Sequence, residues 1–171
     1  MSGADGFRPP EDVDPDELDR QFLDAAVELA VRNVAEGGGP FGALVVVEGV
    51  VVARGQNRVT RDNDPTAHAE VQAVRAACRD LGTFALTGAV LYASCEPCPM
   101  CLATALWARV DRVVFAADRD DAARGGFDDR AFYELFATDR ATWATRVEQQ
   151  RLPAAAEPFD AWLAATGRVD Y

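Results

Sequence analysis

Residues 90–116 read V-L-Y-A-S-C-E-P-C-P-M-C-L-A-T-A-L-W-A-R-V-D-R-V-V-F-A. The runs at 90–93 and 112–116 have the length and β-rich composition of strands, and 99–108 between them reads as a helix. Upstream, two β-rich runs at 43–47 and 50–55 flank Glu48-Gly49, the signal of a hairpin. Between hairpin and strand, Asp64-Pro65-Thr66 opens a helix to about Leu81, with Val71, Val74, Ala77 and Cys78 on one face. Nearer the start, Leu18, Phe22, Ala26, Leu29 and Ala30 recur at helical spacing. Asp14 and Pro15 supply a cap and first turn, and Gly37, Gly38 and Gly39 stop the helix. Downstream the pattern predicts a helix over 130–138, a strand near 145–149 and a last helix over 158–166. The order αββαβαβαβα predicts one α/β sandwich with a mixed sheet of about five strands. Residues 1–15, rich in Gly, Pro and Asp, read as a disordered acidic leader to a single domain over 16–171.

The chain has 171 residues, 49% hydrophobic and 26% charged, enough for one domain with a full core. Its formal charge is −11, of which residues 1–24 carry −6: eight acidic side chains against Arg8 and Arg20. An acidic body is the wrong electrostatic footprint for nucleic acid and for an anionic membrane surface. All 17 basic residues are arginine, which reads as codon bias. No apolar run reaches membrane-span length, no secretory signal is visible, and four closely set cysteines do not suggest a disulfide framework. A cytoplasmic protein is expected.

The single histidine, His68, lies in H-A-E with Glu70, and thirty residues later comes P-C-P-M-C, with Cys98 and Cys101. Cys98 and Cys101 share one face of the first turn of the predicted helix, where unpaired N–H groups and the dipole favour thiolates. His68 begins another helix, so two helix N-termini can converge on one cation. Three protein ligands leave tetrahedral zinc one open position, as a catalytic site requires. Glu70 is close enough to act on a water there without ligating the metal. A second reading stays open: Cys95, Cys98 and Cys101 form C-x-x-C-x-x-C, which with Cys78 suits an iron–sulfur scaffold. Cys78 on a buried helix face argues against it, and Cys95 is then structural.

H-x-E followed by P-C-x-x-C resembles the cytidine-deaminase-like zinc deaminases. Other segments resemble the bacterial guanine deaminases within them: G-G-P-F-G-A (38–43), G-Q-N (55–57), N-D-P-T-A-H-A-E (63–70), S-C-E-P-C-P-M-C (94–101), W-A-R (107–109), A-A-R-G-G-F-D-D (122–129) and the terminal Tyr171. The resemblance runs from about residue 16 to the end; the acidic leader and the arginine-only basic set depart from it. It implies a three-layer α/β/α sandwich and a zinc ion held by His68, Cys98 and Cys101, with Glu70 as proton shuttle. It further implies Phe41 stacking on the base, Trp107 walling the pocket, and Asn57 and the Ala69 N–H bonding the purine. Asp129 would accept from the amine-bearing edge, although Asp128-Asp129 also reads as a helix cap. Tyr171 would arrive from a partner in a homodimer with exchanged C-terminal segments. The implied reaction is hydrolysis of guanine to xanthine and ammonia. Guanosine, cytosine or tRNA adenosine as substrate, and a non-catalytic metal scaffold, are the alternatives.

Overall fold

In the computed structural model, which describes residues 14–170, the Asp14 carboxylate caps the first helix, accepting the Asp16 N–H at 3.0 Å. Pro15 takes the first helical position, Asp16 and Glu17 lie in the first turn and Arg32 in the last, each on the side the helix dipole favours. Residues 14 and 15 therefore belong to this helix, α1 (Pro15–Ala35), while 1–13 lie outside the described residues. α1 buries Phe22, Ala26, Leu29 and Ala30, and also Asn33.

β1 (Gly42–Val47) and β2 (Val50–Gln56) form the expected hairpin. Its turn residues Glu48 and Gly49 have φ of 49° and 74°, the left-handed pair that a two-residue turn between twisted strands needs. The chain then makes a short helix α2 (Val59–Asp62) that the sequence pattern did not predict. The next helix, α3 (Ala69–Leu81), starts later than expected. Asp64 closes a local turn instead, accepting from the N–H and hydroxyl of Thr66 at 2.8 and 2.7 Å. β3 (Ala89–Cys95) pairs antiparallel with β1, and α4 (Pro99–Trp107) carries the chain across to β4 (Arg112–Ala117), parallel to β3. The sheet order is β2-β1-β3-β4. Beyond it come α5 (Arg119–Arg124), which was not anticipated, and α6 (Arg130–Phe136).

Side chains alternate across the sheet as the pleat requires. Ala43, Val45 and Leu91 face α3 and α4, packing with Ala73, Val74, Ala77 and Ala105. Leu44, Val46 and Tyr92 face α1, packing with Phe22, Ala26 and Leu29. The result is the three-layer α/β/α sandwich, with four strands among the described residues instead of about five. Residues 145–149 form no strand: Val147, their single apolar side chain, is 53% exposed, and no neighbouring strand pairs with them.

The described residues divide into two compact units, one up to Tyr133 and one from Glu134, and the sheet and its helices belong to the first. The second holds the end of α6, a 3-10 turn (Arg140–Thr142) and α7 (Glu157–Ala164). Within it the Phe136 and Trp143 rings meet edge to face at 5.4 Å. No helix among the described residues is long and apolar enough to cross a membrane.

Candidate functional site

His68 and Cys98 occupy equivalent places in the fold. Each is the N-cap of its helix, α3 or α4, with an extended backbone (φ −70°, ψ 155° and φ −63°, ψ 167°). Neither spends its side chain on capping, so both side chains point onward to one spot, joined there by Cys101 from the first turn of α4. The His68 Nδ1 lies 3.6 Å from the Cys98 Sγ and 3.4 Å from the Cys101 Sγ, and the sulfurs are 3.5 Å apart. A tetrahedral zinc with ordinary bond lengths demands edges of about 3.6 Å (N to S) and about 3.8 Å (S to S). The triangle is that size to within about 0.3 Å, and two soft sulfurs with an imidazole suit zinc. Contact with the Cys101 sulfur, aided by the His68 ring, pulls the Cys98 thiol down to about 4, while the same contact pushes Cys101 up.

A cavity of about 590 Å³ opens over this triangle. Glu70, one turn position beyond Ala69 in α3, lines it with only 7% of its surface exposed, and burial pushes its carboxyl above the usual range. Ala69 between them is fully buried, its N–H in the helix first turn where no intrahelical partner exists. Phe41 and Phe127 stand edge to face on the cavity wall, centroids 5.0 Å apart. Asn57 lines it too; its side-chain oxygen accepts the Val59 N–H at 3.3 Å, leaving the amide nitrogen as a donor. The two aspartates differ. Asp128 accepts from the Arg130 N–H at 3.1 Å and pairs with its guanidinium at 2.7 Å. Asp129 lines the cavity with a buried Oδ1 that has no hydrogen-bond partner among the described residues. Burial first, and the nearby Cys98 sulfur second, raise its carboxyl.

One expected residue is placed elsewhere. Trp107 is 66% exposed at the end of α4, lines no part of the cavity, and has Arg109 over its ring at 5.8 Å. Six residues, nearly two turns, beyond Cys101, the helix has rotated this position to the opposite side from buried Cys101 and Ala105. Tyr171 lies outside the described residues. Of the other cysteines, Cys95 is buried and its Sγ meets the Asp118 carbonyl at 3.5 Å, and Cys78 packs against the core. Neither joins the three-residue group, so a four-cysteine cluster is not assembled.

The structure adds residues that pattern reading missed. Glu96 pairs with Arg119, whose guanidinium lies 4.0 Å above the Tyr133 ring; the Tyr133 hydroxyl donates to the Pro97 carbonyl. Burial pushes that hydroxyl up to about 12, so it remains a donor, and the chain of contacts braces the loop that carries Cys98. Asn33, a lone amide in the apolar stripe of α1, was visible as an anomaly of periodicity but carried no motif.

The sequence profile described as the cytidine and deoxycytidylate deaminase zinc-binding region matches residues 16–117. A guanine deaminase of Bacillus subtilis is 46% identical over 151 residues, 88% of this chain and 97% of the relative. A tRNA-specific adenosine deaminase of Aquifex aeolicus is 42% identical over 96 residues, 56% of this chain and 64% of the relative. The X-ray structure of guanine deaminase from Bacillus subtilis superposes with a TM-score of 0.86, covering 89% of this chain and 98% of that one.

Proposed function

The chain belongs to the family of cytidine and deoxycytidylate deaminase zinc-binding proteins, and from that premise we propose that it hydrolyses guanine to xanthine and ammonia. It is a zinc-dependent aminohydrolase acting on a small purine, not on nucleic acid. Among the observations on the site, the Asp129 oxygen weighs most: a buried carboxylate oxygen without a partner among the described residues, on the wall of a cavity that His68 and Cys98 also line. Guanine presents N–H donors at N1 and N2, which such an acceptor needs, whereas cytosine and adenine present a ring-nitrogen acceptor there and leave it unmatched.

Zinc, when bound by His68, Cys98 and Cys101, supplies Lewis acidity that brings the pKa of a water to about 7. The rest falls to the chain. Phe41, braced by Phe127, offers a flat apolar wall for the base. Asn57 donates from one edge, the Ala69 N–H from another, and Asp129 accepts from the amino-bearing side. Glu70 takes a proton from the attacking water and delivers it to the ring nitrogen beside C2 as the C2–O bond forms. The remaining proton of the new C2 hydroxyl passes through Glu70 to the amino group, the C2–N bond breaks, ammonia leaves and the C2–O group becomes the xanthine carbonyl. A carboxyl raised by burial is suited to both halves of that transfer.

We further propose a cytoplasmic homodimer in which 16–171 acts as one domain and the C-terminal segments are exchanged, so that Tyr171 closes the partner's site. Leu102, Leu106 and Trp107 on α4 are 40, 66 and 66% exposed, an apolar row that favours a partner. Incubating the purified protein with guanine, guanosine, adenine and cytosine while following ammonia tests the activity. Guanine should be deaminated fastest, with xanthine accumulating; preference for cytosine or adenine overturns the assignment. Deleting residues 169–171 should spare zinc and the dimer yet remove most turnover, and wild-type rates in that truncation take Tyr171 out of the site.

A further inference from the structure

Asn33 is fully buried in the last turns of α1, on a stripe otherwise apolar. Its amide nitrogen donates to two backbone carbonyls, Gly39 at 2.7 Å and Asn57 at 2.8 Å. Its amide oxygen accepts from the Arg61 guanidinium, which also reaches the Glu36 carboxylate at 3.5 Å. The Asn33 carbonyl accepts the Gly38 N–H at 2.8 Å. Four separate segments thus meet on one residue: the end of α1, the glycine loop, the residue after β2, and α2.

Three of those segments are cavity wall, α2 through Val59 and Thr60. Gly37, Gly38 and Gly39 line it, as does Asn57, while Asn33 itself does not. The fit is close enough to exclude side chains. A Cβ on Gly38 would stand 2.5 Å from the Asn33 amide, and one on Gly39 3.0 Å from the Asn57 side chain. The Asn57 N–H in turn bonds the Phe41 carbonyl at 3.1 Å, so the wall that Asn33 holds includes the stacking ring's own backbone. Arg61 settles which way the amide faces: with the oxygen committed to a guanidinium, the nitrogen must face the two carbonyls.

We infer that Asn33 is a positioning residue for substrate affinity: it touches no purine, but sets the spacing between the glycine loop and Asn57 and thereby the width of the base slot. The inference rests on the guanine reading of the cavity. It places the effect in binding, because Glu70 and the metal triangle stand on α3 and α4, whereas the side-chain hydrogen bonds of Asn33 go to Gly39, Asn57 and Arg61.

Two variants of Asn33 test this. Asn33→Ala removes all three side-chain bonds, and Asn33→Asp keeps the shape but turns a carboxylate oxygen toward the two carbonyls. Each should raise KM for guanine about tenfold while kcat stays within about threefold and zinc content stays stoichiometric. Titration of a non-hydrolysable purine analogue by calorimetry should show the same loss of affinity. Arg61→Ala, at a partly exposed side chain, should give a smaller rise, about two- to threefold, by freeing the amide to turn. Gly38→Ala should weaken binding in the wild type and add little in the Asn33→Ala background, since the side chain it collides with is gone. If Asn33 variants do not fold, Arg61→Ala and Gly38→Ala decide. Unchanged KM with only a lower melting temperature, or a fall in kcat at unchanged KM, overturns the inference. Should the wild type act on another base, the guanine reading fails first, and the same comparison on that base still judges Asn33.

Discussion

Two carboxylates in one cavity are given different work by what surrounds them. Glu70 sits against the sulfur and imidazole ligands, and burial raises its carboxyl. In Glu70→Gln the amide keeps the volume but cannot accept the water proton, so turnover should fall about 10²–10⁴-fold with zinc retained. Metal analysis and guanine kinetics on one preparation check this; loss of zinc would make Glu70 a ligand. Asp129→Asn changes an acceptor into a group that can turn N–H toward the substrate's N–H. Guanine turnover should drop at least tenfold with the melting temperature nearly unchanged, because Oδ1 holds no structural bond to lose. A lower melting temperature at an unchanged rate would leave Asp129 a structural residue only.

The elements converge because particular contacts let backbones approach. β2 passes the N-terminal turn of α3 at Gly55, where a Cβ would stand 2.0 Å from the Ala69 carbonyl oxygen, a backbone atom with nowhere to go. Gly55→Ala should therefore destabilise by about 1–3 kcal/mol and weaken zinc retention, since α3 must shift and takes His68 with it. Chemical denaturation and a chelator challenge read the two effects. On the other face, Asp19 of α1 accepts from the Tyr92 hydroxyl at 2.6 Å and pairs with Arg112 of β4 at 2.6 Å. Burial works against its charge, yet the bonds from Arg112 and Tyr92 hold its carboxyl below the ordinary value. Its contribution is complete above the unfolded value of about 3.9 and is lost as pH falls through the lower folded value. Asp19→Asn should cost about 1–2 kcal/mol at pH 7, and the gap to wild type should close below about pH 4.

For the whole molecule, the metal links folding to activity. The two helix starts that carry the ligands belong to segments thirty residues apart, and an ion bound to both stabilises only the folded chain. Chelation should therefore remove turnover and lower the melting temperature, the loss amounting to about 2.7 kcal/mol when free zinc was 100 times its dissociation constant. Readdition of zinc should restore both. An acidic protein of charge −11 should also keep its guanine kinetics nearly unchanged when RNA is added, since it offers no electrostatic footprint for a polyanion.

The metal ligands and Glu70 were legible in the sequence because their geometry is local. H-A-E at a helix start and C-P-M-C at another fix side-chain direction within one turn, whatever the rest of the chain does. The layers were legible for the same reason: the apolar positions of α1 and α3 recur at helical spacing, and the short β-rich runs have the length of strands. What needed the tertiary structure was every decision that depends on a distant neighbour. A strand exists only if another pairs with it, so 145–149 could resemble one and form none. Trp107 faces away because the rotation of α4 against the sheet is set by Cys101 and Ala105, which bury on the opposite side. Asp128 and Asp129 are alike in sequence, and Arg130 took one of them while burial left the other to the cavity. Asn33 is the clearest case: an amide in an apolar stripe breaks the pattern, and only the packed chain brings it the carbonyls of Gly39 and Asn57 that satisfy it.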